Sequence, residues 1–129
     1  MRQQMKPVLS LLLFLATTTL TQNLPLVPNN RLTPGVATHD AEATVCAKGY
    51  AKSRRHTSGK MKATVYRAYG LTAHTCGHCE VDHRIPLELG GADVPKNLWP
   101  ESYDTEPWNA RVKDRLETTS AGRSAASTA

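Results

Sequence analysis

A large share of the chain's apolar residues lies in one block near the N-terminus, from Val8 to Ala16, which reads VLSLLLFLA and contains the single phenylalanine. Outside this block, a core has to be built from scattered Leu, Val and Ala together with Trp99, Trp108 and four tyrosines. So few large apolar side chains in 129 residues predict one small, loop-rich domain. They exclude a large multidomain enzyme, a long repeat array and a polytopic membrane protein.

The residues that flank the apolar block have the order of a secretory signal peptide. Arg2 and Lys6 precede the block without any acid, and small residues follow it at positions 16–19. The block is also too short to cross a bilayer of roughly 30 Å as a helix. Residues 1–22 are therefore predicted to be a signal peptide, which implies a secreted or periplasmic protein without stable membrane association after cleavage. An uncleaved anchor or a buried helix is the alternative.

The composition on either side of the central segment predicts little packed structure. Residues 23–43 contain three prolines and predict an extended linker. Residues 118–129 read TTSAGRSAASTA, and so small and polar a sequence predicts a disordered tail. The domain itself is therefore predicted to span residues 44–117.

Charge changes sign within this domain. From Ala43 to Cys79 the chain has seven basic residues and no acid, whereas from Glu80 to Glu117 it has five basic residues and nine acids. The overall charge of +5 thus combines a basic half with an acidic half. An acid-free basic segment is typical of a surface that attracts a polyanion, and a solvated helix face is the alternative.

The basic half contains one predicted helix. Met61, Val65 and Tyr69 recur at a spacing of four residues and form a narrow apolar stripe. Thr57 or Ser58 is expected to cap the N-terminus of this helix, and a glycine at position 70 to end it.

The acidic half predicts a strand, a loop, a second short strand and a helix. The first strand is expected at Val81 to Ile85, followed by Pro86 and a turn at Gly90 and Gly91. The second is expected at residues 97–99 and to end at Pro100.

The helix that follows is expected to be capped by Asp104 or Thr105. Its predicted buried stripe consists of Trp108, Val112 and Leu116. Strands followed by a helix, with another helix before them, predict an α+β fold.

Three cysteines are present, Cys46, Cys76 and Cys79, and in an exported protein they are expected to form disulfides. A local bridge within the CGHC sequence and a bridge to Cys46 are both open. An odd number leaves one cysteine for a dimer contact, a free thiol or a partner elsewhere.

Asp82 and His83 are the first residues that predict chemistry. A carboxylate binds hard divalent cations, and a neutral imidazole can take a proton from water near neutral pH. Neighbouring side chains on a strand point to opposite faces, so these two share a site only if the backbone turns there. A salt-bridged surface pair is the alternative.

The sequence DHRIPLELGG from Asp82, followed by NLWP from Asn97 and WNARVKD from Trp108, resembles the HNH endonuclease family. It is most similar to an exported subgroup with the pattern DHxIPLELGG, NLWP and WNAxVKD. The similarity extends back to Arg55 and covers roughly residues 44 to 117. It implies a small ββα-metal fold with a preceding basic helix.

The resemblance also implies a role for each motif residue. Asp82 is expected to bind a metal ion and His83 to act as the general base that activates water. Asn97 is expected to hold the loop that aims His83. Asn109 is expected to be the third motif residue, on the helix, and a second ligand of the metal ion. The implied cofactor is one divalent cation, Mg²⁺ or alternatively Mn²⁺. A structural zinc at Cys76 and Cys79 is not expected, because only one CxxC pair is present.

The implied function is metal-dependent hydrolysis of phosphodiester bonds in DNA, or alternatively RNA, with low sequence specificity. The side chains expected to bind the substrate are basic, namely Lys113, Arg84, Arg55, Lys60 and Lys62. Members of the subgroup continue beyond the KDRLE sequence with further helices that carry a cysteine, so this chain is interpreted as C-terminally truncated. The alternatives are therefore a catalytically inert nucleic-acid-binding protein and a non-functional remnant.

Overall fold

The computed structural model describes residues 24–25, 27–72 and 75–127, with the backbone alone from residue 120 onward. The predicted signal peptide, residues 1–22, lies outside the described residues. The described part forms a small α+β structure with four helices and one two-stranded antiparallel sheet. The helices are α1 (Glu42–Val45), α2 (Tyr50–Arg54), α3 (Gly59–Ala68) and α4 (Ala110–Ser127), and the strands are β1 (Cys79–His83) and β2 (Leu98–Ser102). Within this part of the chain no helix has the length and apolar character needed to span a membrane.

Helix α3 forms where the sequence predicts it. The side chain of Ser58 caps it by accepting a hydrogen bond of 3.2 Å from the backbone N–H of Met61. Val65 is only 2% exposed, whereas Met61 and Tyr69 are half-buried at its flanks. The predicted stripe and cap are thus confirmed, and α3 packs its apolar face against β2.

The two strands pair with Asp82 opposite Trp99 and His83 opposite Leu98. β1 lies two residues closer to the N-terminus than predicted, and β2 runs through Pro100 instead of ending there. Pro100 is tolerated because it faces Val81 in a pair without ladder hydrogen bonds, so its missing N–H is not needed.

The loop between the strands contains two short 3₁₀ helices, Leu87–Leu89 and Pro95–Asn97. Gly90 adopts φ 80°, in the left-handed region. Gly91 lies so close to the backbone carbonyl of Ile85 that an added Cβ would be 1.9 Å from its oxygen. The Gly-Gly turn is therefore required by both conformation and space.

Helix α4 begins at Ala110, several residues later than predicted. Asn109 caps it, with Oδ1 accepting a hydrogen bond of 3.2 Å from the N–H of Val112. The predicted buried stripe is wrong, because Trp108 and Leu116 are each 58% exposed while Ala110 is fully buried. Trp108 precedes α4 and is not part of its buried face, whereas Ala110, the first helical residue, packs against the domain.

The C-terminal half of α4 also departs from the predicted tail without structure, since the helix continues to Ser127. The segment is rich in alanine, the residue with the highest helix propensity.

The described part of the predicted linker is extended but bound to the domain. The Thr33 hydroxyl donates to the carbonyl of Leu98 at 2.8 Å and pairs with the Tyr69 hydroxyl at 2.8 Å. The N–H of Gly35 donates to the carbonyl of Lys96 at 3.1 Å, and Ala37 forms a β-bridge with Gly91. This segment therefore packs along the loop between β1 and β2. The division of the chain into signal peptide, linker and domain remains a prediction.

Candidate functional site

Four carboxylates lie close together between the sheet and α4, and we call them the acidic cluster: Glu80 and Asp82 of β1, Glu101 of β2 and Asp114 of α4. Residues at alternate positions of a strand share a face, which puts Glu80 and Asp82 side by side. Glu101 lies opposite Glu80 in the sheet register. Carboxylate oxygens of Glu80, Asp82 and Asp114 all lie within 4.8 Å of one another.

Lys113 is the counter-ion of this cluster. Its Nζ donates hydrogen bonds to Asp82 Oδ2 and Glu117 Oε1. Burial opposes ionisation of Asp82, but hydrogen bonds from His83 and Lys113 and the charge of Lys113 outweigh it, so the pKa of Asp82 lies well below its ordinary value. Burial likewise opposes the charge of Lys113, but its two acidic partners prevail and raise its pKa. Asp82 and Lys113 are therefore both ionised at neutral pH.

Glu101 behaves differently from Asp82. It is only 6% exposed. Burial raises its pKa to about 8, with the nearby charge of Asp82 adding to the effect and that of Lys113 opposing it. At neutral pH this carboxyl therefore retains its proton, which limits the negative charge gathered in the cluster.

Four buried side-chain atoms of the described residues have no hydrogen-bond partner, and two of them, Glu80 Oε1 and Glu101 Oε2, belong to the acidic cluster. Buried polar atoms are nearly always paired, so such atoms call for a ligand. Carboxylate oxygens are the donors that Mg²⁺ prefers. The donor set of the acidic cluster therefore fits a hard divalent cation.

His83 lies at the end of β1 between two carboxylates and is 3% exposed. Its Nε2 lies 2.9 Å from Asp93 Oδ1, and its Nδ1 lies 3.8 Å from Asp82 Oδ1. Asp82 and His83 occupy opposite faces of β1, yet the strand ends at His83 and the backbone turns, which brings the imidazole beside Asp82. The structure thus places the two residues in one site.

Asn97 is fully buried and holds the loop that follows His83. Its Nδ2 donates to the carbonyls of Ile85 and Ala92, both at 2.9 Å, and its Oδ1 accepts from the N–H of Ile85 at 3.0 Å. Its own carbonyl accepts from the N–H of Arg84 at 2.7 Å. The side chain thus joins the start of the loop, at Ile85, to its later part, at Ala92.

Asn109 does not join the acidic cluster in the way expected of a metal ligand. Its Oδ1 caps α4, and its Nδ2 donates to the carbonyl of Thr105 at 3.1 Å. Both polar atoms of the side chain are occupied by backbone groups, because the helix starts directly after Asn109. The α4 carboxylate that faces Asp82 belongs to Asp114.

The five basic residues expected to bind substrate fall into two groups. Lys113 is held by Asp82 and Glu117, and Arg84 donates to Asn30 Oδ1 at 2.6 Å and to the carbonyl of Thr33 at 2.7 Å. Arg84 thus fastens the N-terminal segment to the domain. The remaining three are exposed, in the α2–α3 connection and on α3: Arg55, Lys60 and Lys62.

The cysteines resolve into one local pair and one thiol. Cys76 and Cys79 form a disulfide, with their Cα atoms 5.9 Å apart, and Cys46 is free and half-buried. The neighbouring His78 pairs with Asp104 at 2.8 Å. A disulfide sulfur is not a thiolate ligand, so this arrangement gives no zinc site at the CxxC sequence.

Sequence reasoning missed four carboxylates of the site, Glu80, Glu101, Asp114 and Asp93. Glu80 has a readable signal, because it is two residues from Asp82 and directly precedes the predicted strand. Glu101 and Asp114 depend on strand register and helix rotation, and Asp93 lies in a loop without periodicity.

Comparisons of the chain with protein-family models, with curated proteins and with solved structures gave no match.

Proposed function

We propose that this protein is a metal-dependent endonuclease that hydrolyses phosphodiester bonds of DNA, or alternatively RNA, with low sequence specificity. The observation that carries the proposal is the position of His83 at a strand end, beside Asp82 of the acidic cluster. The finer fold that we propose is the ββα-metal arrangement of the HNH type, in which β1, β2 and the start of α4 form the catalytic unit. The sequence motifs shared with the HNH family support this assignment.

The cation in this proposal is Mg²⁺, held by Asp82 with Glu80 and Asp114 in place of Asn109. When bound, it stabilises negative charge on the scissile phosphate and on the leaving oxygen. Lys113 would share Asp82 with such a cation, because both positive charges are attracted to the same carboxylate.

His83 acts as the general base in this proposal. It takes one proton from a water molecule, whose oxygen forms a bond to phosphorus as the bond from phosphorus to the leaving oxygen breaks. The leaving oxygen then takes a proton from solvent. Burial keeps the imidazole fixed, and Asn97 maintains the loop that begins directly after it.

Lys113 has a second role in the substrate complex. With a cation on Asp82, its ammonium would be available to pair with a phosphate oxygen. The exposed Arg55, Lys60 and Lys62 contact phosphates further along the strand, which gives binding without base readout.

The decisive experiment measures nicking of supercoiled plasmid by the purified chain with Mg²⁺ or Mn²⁺ and with EDTA. We expect cation-dependent cleavage that falls by about 10²-fold or more in His83→Ala. His78→Ala is the matched control, since His78 also pairs with an aspartate but is exposed and outside the cluster. Absence of cleavage by folded protein, or an unchanged rate in His83→Ala, would contradict the proposal.

The bond between Lys113 and Asp82 favours a second candidate, a nucleic-acid-binding protein with an inert site. Because Lys113 already offsets negative charge in the cluster, a divalent cation would bind there less strongly. This candidate predicts binding that weakens steeply with salt and no turnover with any ion.

We propose in addition that the protein is exported. The Cys76–Cys79 disulfide supports this, because disulfides persist in oxidising compartments. N-terminal sequencing of the mature protein tests it, with a start near residue 23 expected and an intact Met1 contradicting it.

A further inference from the structure

A groove with a volume of about 460 Å³ lies along one side of α3. Its lining is mainly apolar and includes Ala63, Tyr66 and Leu71 together with the charged residues Lys62 and Arg67. Positions 62, 63, 66 and 67 share one face of a helix, because they recur at intervals of three and four residues. This face lies on a different side of α3 from the buried stripe described above. The groove is large enough to hold a small flat ring system.

The end of α3 fixes the shape of the groove. The N–H of Leu71 donates to the carbonyl of Tyr66 at 2.8 Å, and the N–H of Gly70 donates to the carbonyl of Arg67 at 3.0 Å. With Gly70 at φ 71°, these two bonds form a Schellman motif. The motif holds Leu71, which is 7% exposed, beside the last turn of α3. The backbone therefore sets the shape of this end of the groove before any ligand binds.

Tyr66 supplies an aromatic ring to the groove. Its side chain is half-buried, and its hydroxyl lies 4.0 Å from Sγ of Cys79, in the disulfide at the start of β1. Burial and the charge of Glu80 raise the pKa of this hydroxyl, so the ring is neutral at physiological pH. A neutral aromatic ring in an apolar groove is a surface on which another flat ring can stack.

The charges that line the groove are positive. Lys62 and Arg67 are both exposed, and neither forms an ion pair with an acid of the described residues. They are five residues apart, which corresponds to roughly 7.5 Å along a helix axis. Ala63 and Tyr66 lie between them along the helix. Two cations on either side of an apolar recess match two neighbouring phosphates of a nucleic-acid strand and a base that lies between them.

The ligand that combines a flat ring with flanking anions is a strand of unpaired nucleotides. A base inside a double helix is already stacked and paired, whereas the bases of a single strand are free to stack on aromatic side chains. We propose that this groove is a subsite for one base of single-stranded nucleic acid, which stacks on Tyr66 while Lys62 and Arg67 pair with the flanking phosphates. The proposal rests on the nucleic-acid substrate proposed above and names its class, a single strand. Stacking accepts every base, so the subsite adds affinity without base readout.

The experiment measures binding of fluorescein-labelled oligonucleotides to the purified full chain by fluorescence anisotropy. EDTA is present, so that binding is separated from metal-dependent cleavage. The probes are a strand of thymidines, an abasic strand of equal length and a duplex of equal length. The two single strands carry the same charge, so the ratio of their Kd values measures what the bases contribute.

Three variants on α3 test the groove. Ala63→Leu fills it, and Thr64→Leu is the matched control, because Thr64 is exposed beside Ala63 but is not part of the lining. Tyr66→Leu removes the aromatic ring and keeps an apolar side chain. A cooperative thermal transition in each variant shows that it is folded.

We expect the wild type to bind the thymidine strand about 10-fold or more tighter than the abasic strand, as expected from stacking of one base. In Ala63→Leu and Tyr66→Leu this ratio should fall close to one. The Kd for the abasic strand and its dependence on salt should stay unchanged in these variants, because Lys62 and Arg67 remain. Thr64→Leu should keep the wild-type ratio.

Equal binding of the thymidine and abasic strands by the folded wild type overturns the proposal, as does tighter binding of the duplex than of the thymidine strand. Plasmid cleavage by the same protein would then leave the nuclease function intact. Preference for the thymidine strand that is lost in Ala63→Leu, without cleavage with any cation, supports the subsite and contradicts the nuclease function. A wild-type dimer that dissociates in Ala63→Leu with an unchanged binding ratio, seen by sedimentation, assigns the groove to a second copy of the chain and overturns the proposal.

Discussion

The loop between β1 and β2 and the acidic cluster differ in how their most buried polar side chain is paired. In the loop, Asn97 is fully buried and each of its polar side-chain atoms has a backbone partner. In the cluster, Glu101 is almost as buried, yet one of its oxygens has none. A fully paired polar group stabilises one conformation, whereas an unpaired one costs free energy that a ligand can recover. Asn97 is thus part of the structural scaffold, whereas Glu101 leaves one oxygen open to a ligand.

The largest expected effect comes from Asn97→Ala, which breaks the scaffold. It leaves the carbonyls of Ile85 and Ala92 and the N–H of Ile85 without partners, and each such group costs about 1–3 kcal/mol. We expect the free energy of unfolding to fall by about 3 kcal/mol or more in urea titrations. Asn109→Ala, which removes only a helix cap, should cost about 1 kcal/mol. Equal losses in the two variants would mean that Asn97 has no special structural role.

Lys113→Met should have the next largest effect, because it leaves Asp82 and Glu117 without their counter-ion. We expect a loss of about 2 kcal/mol in EDTA. Millimolar Mg²⁺ should restore much of this loss, since the cation replaces the lysine at Asp82. Thermal denaturation with and without Mg²⁺ measures both, and Lys96→Met, at an exposed position, is the control. If Mg²⁺ restores no stability, the cluster is not a cation site.

Glu101→Gln tests the acidic cluster through the pH dependence of stability. Folding raises the pKa of Glu101 from 4.5 to about 8, so its protonated form is favoured in the folded state. Its contribution to stability is therefore fully present below pH 4.5 and is lost as pH rises through about 8. Wild type should therefore lose stability steadily over this interval relative to Glu101→Gln, whose amide does not titrate.

Thermal unfolding in metal-free buffers between pH 4.5 and about 8 measures the difference in stability between wild type and Glu101→Gln. Glu106→Gln, at an exposed site, serves as the control. A constant difference between wild type and Glu101→Gln at all pH values would show that Glu101 does not titrate in this interval.

The smallest expected effect is that of Trp108→Ala. Its side chain is 58% exposed, so we expect a change in the free energy of unfolding within about 0.5 kcal/mol. Leu98→Ala, at a fully buried position of β2, should cost about 2–5 kcal/mol. Similar losses in both variants would restore the buried stripe that the sequence predicts for α4.

Local signals account for the parts of the fold that the sequence predicts. Helix α3 follows from a capping serine and a stripe with a spacing of four residues, and the Gly90–Gly91 turn follows from its glycines. These features depend on neighbours within a few residues, so the sequence displays them directly. The residues Asp82 and His83 were also found because they are adjacent.

The rest of the site depends on contacts that sequence spacing does not encode. Thr57 and Asp93 are 36 residues apart, and Glu101 reaches the cluster only through its register with Glu80. The buried stripe of α4 was mispredicted because the helix begins after Asn109 and not near Asp104 or Thr105, so that Trp108 lies outside it. Long-range register and helix phase are thus what the sequence alone left undetermined.

The extended segment from Thr33 to Thr38 has a practical consequence for the size of the folding unit. It binds the loop through the carbonyls of Leu98, Lys96 and Gly90 and through the bridge to Gly91. A recombinant chain that starts at residue 44 would lose these bonds and free the loop that leads from His83 to Asn97. The smallest autonomously folding unit should therefore begin before Thr33, because the segment from Thr33 to Thr38 holds the loop in place.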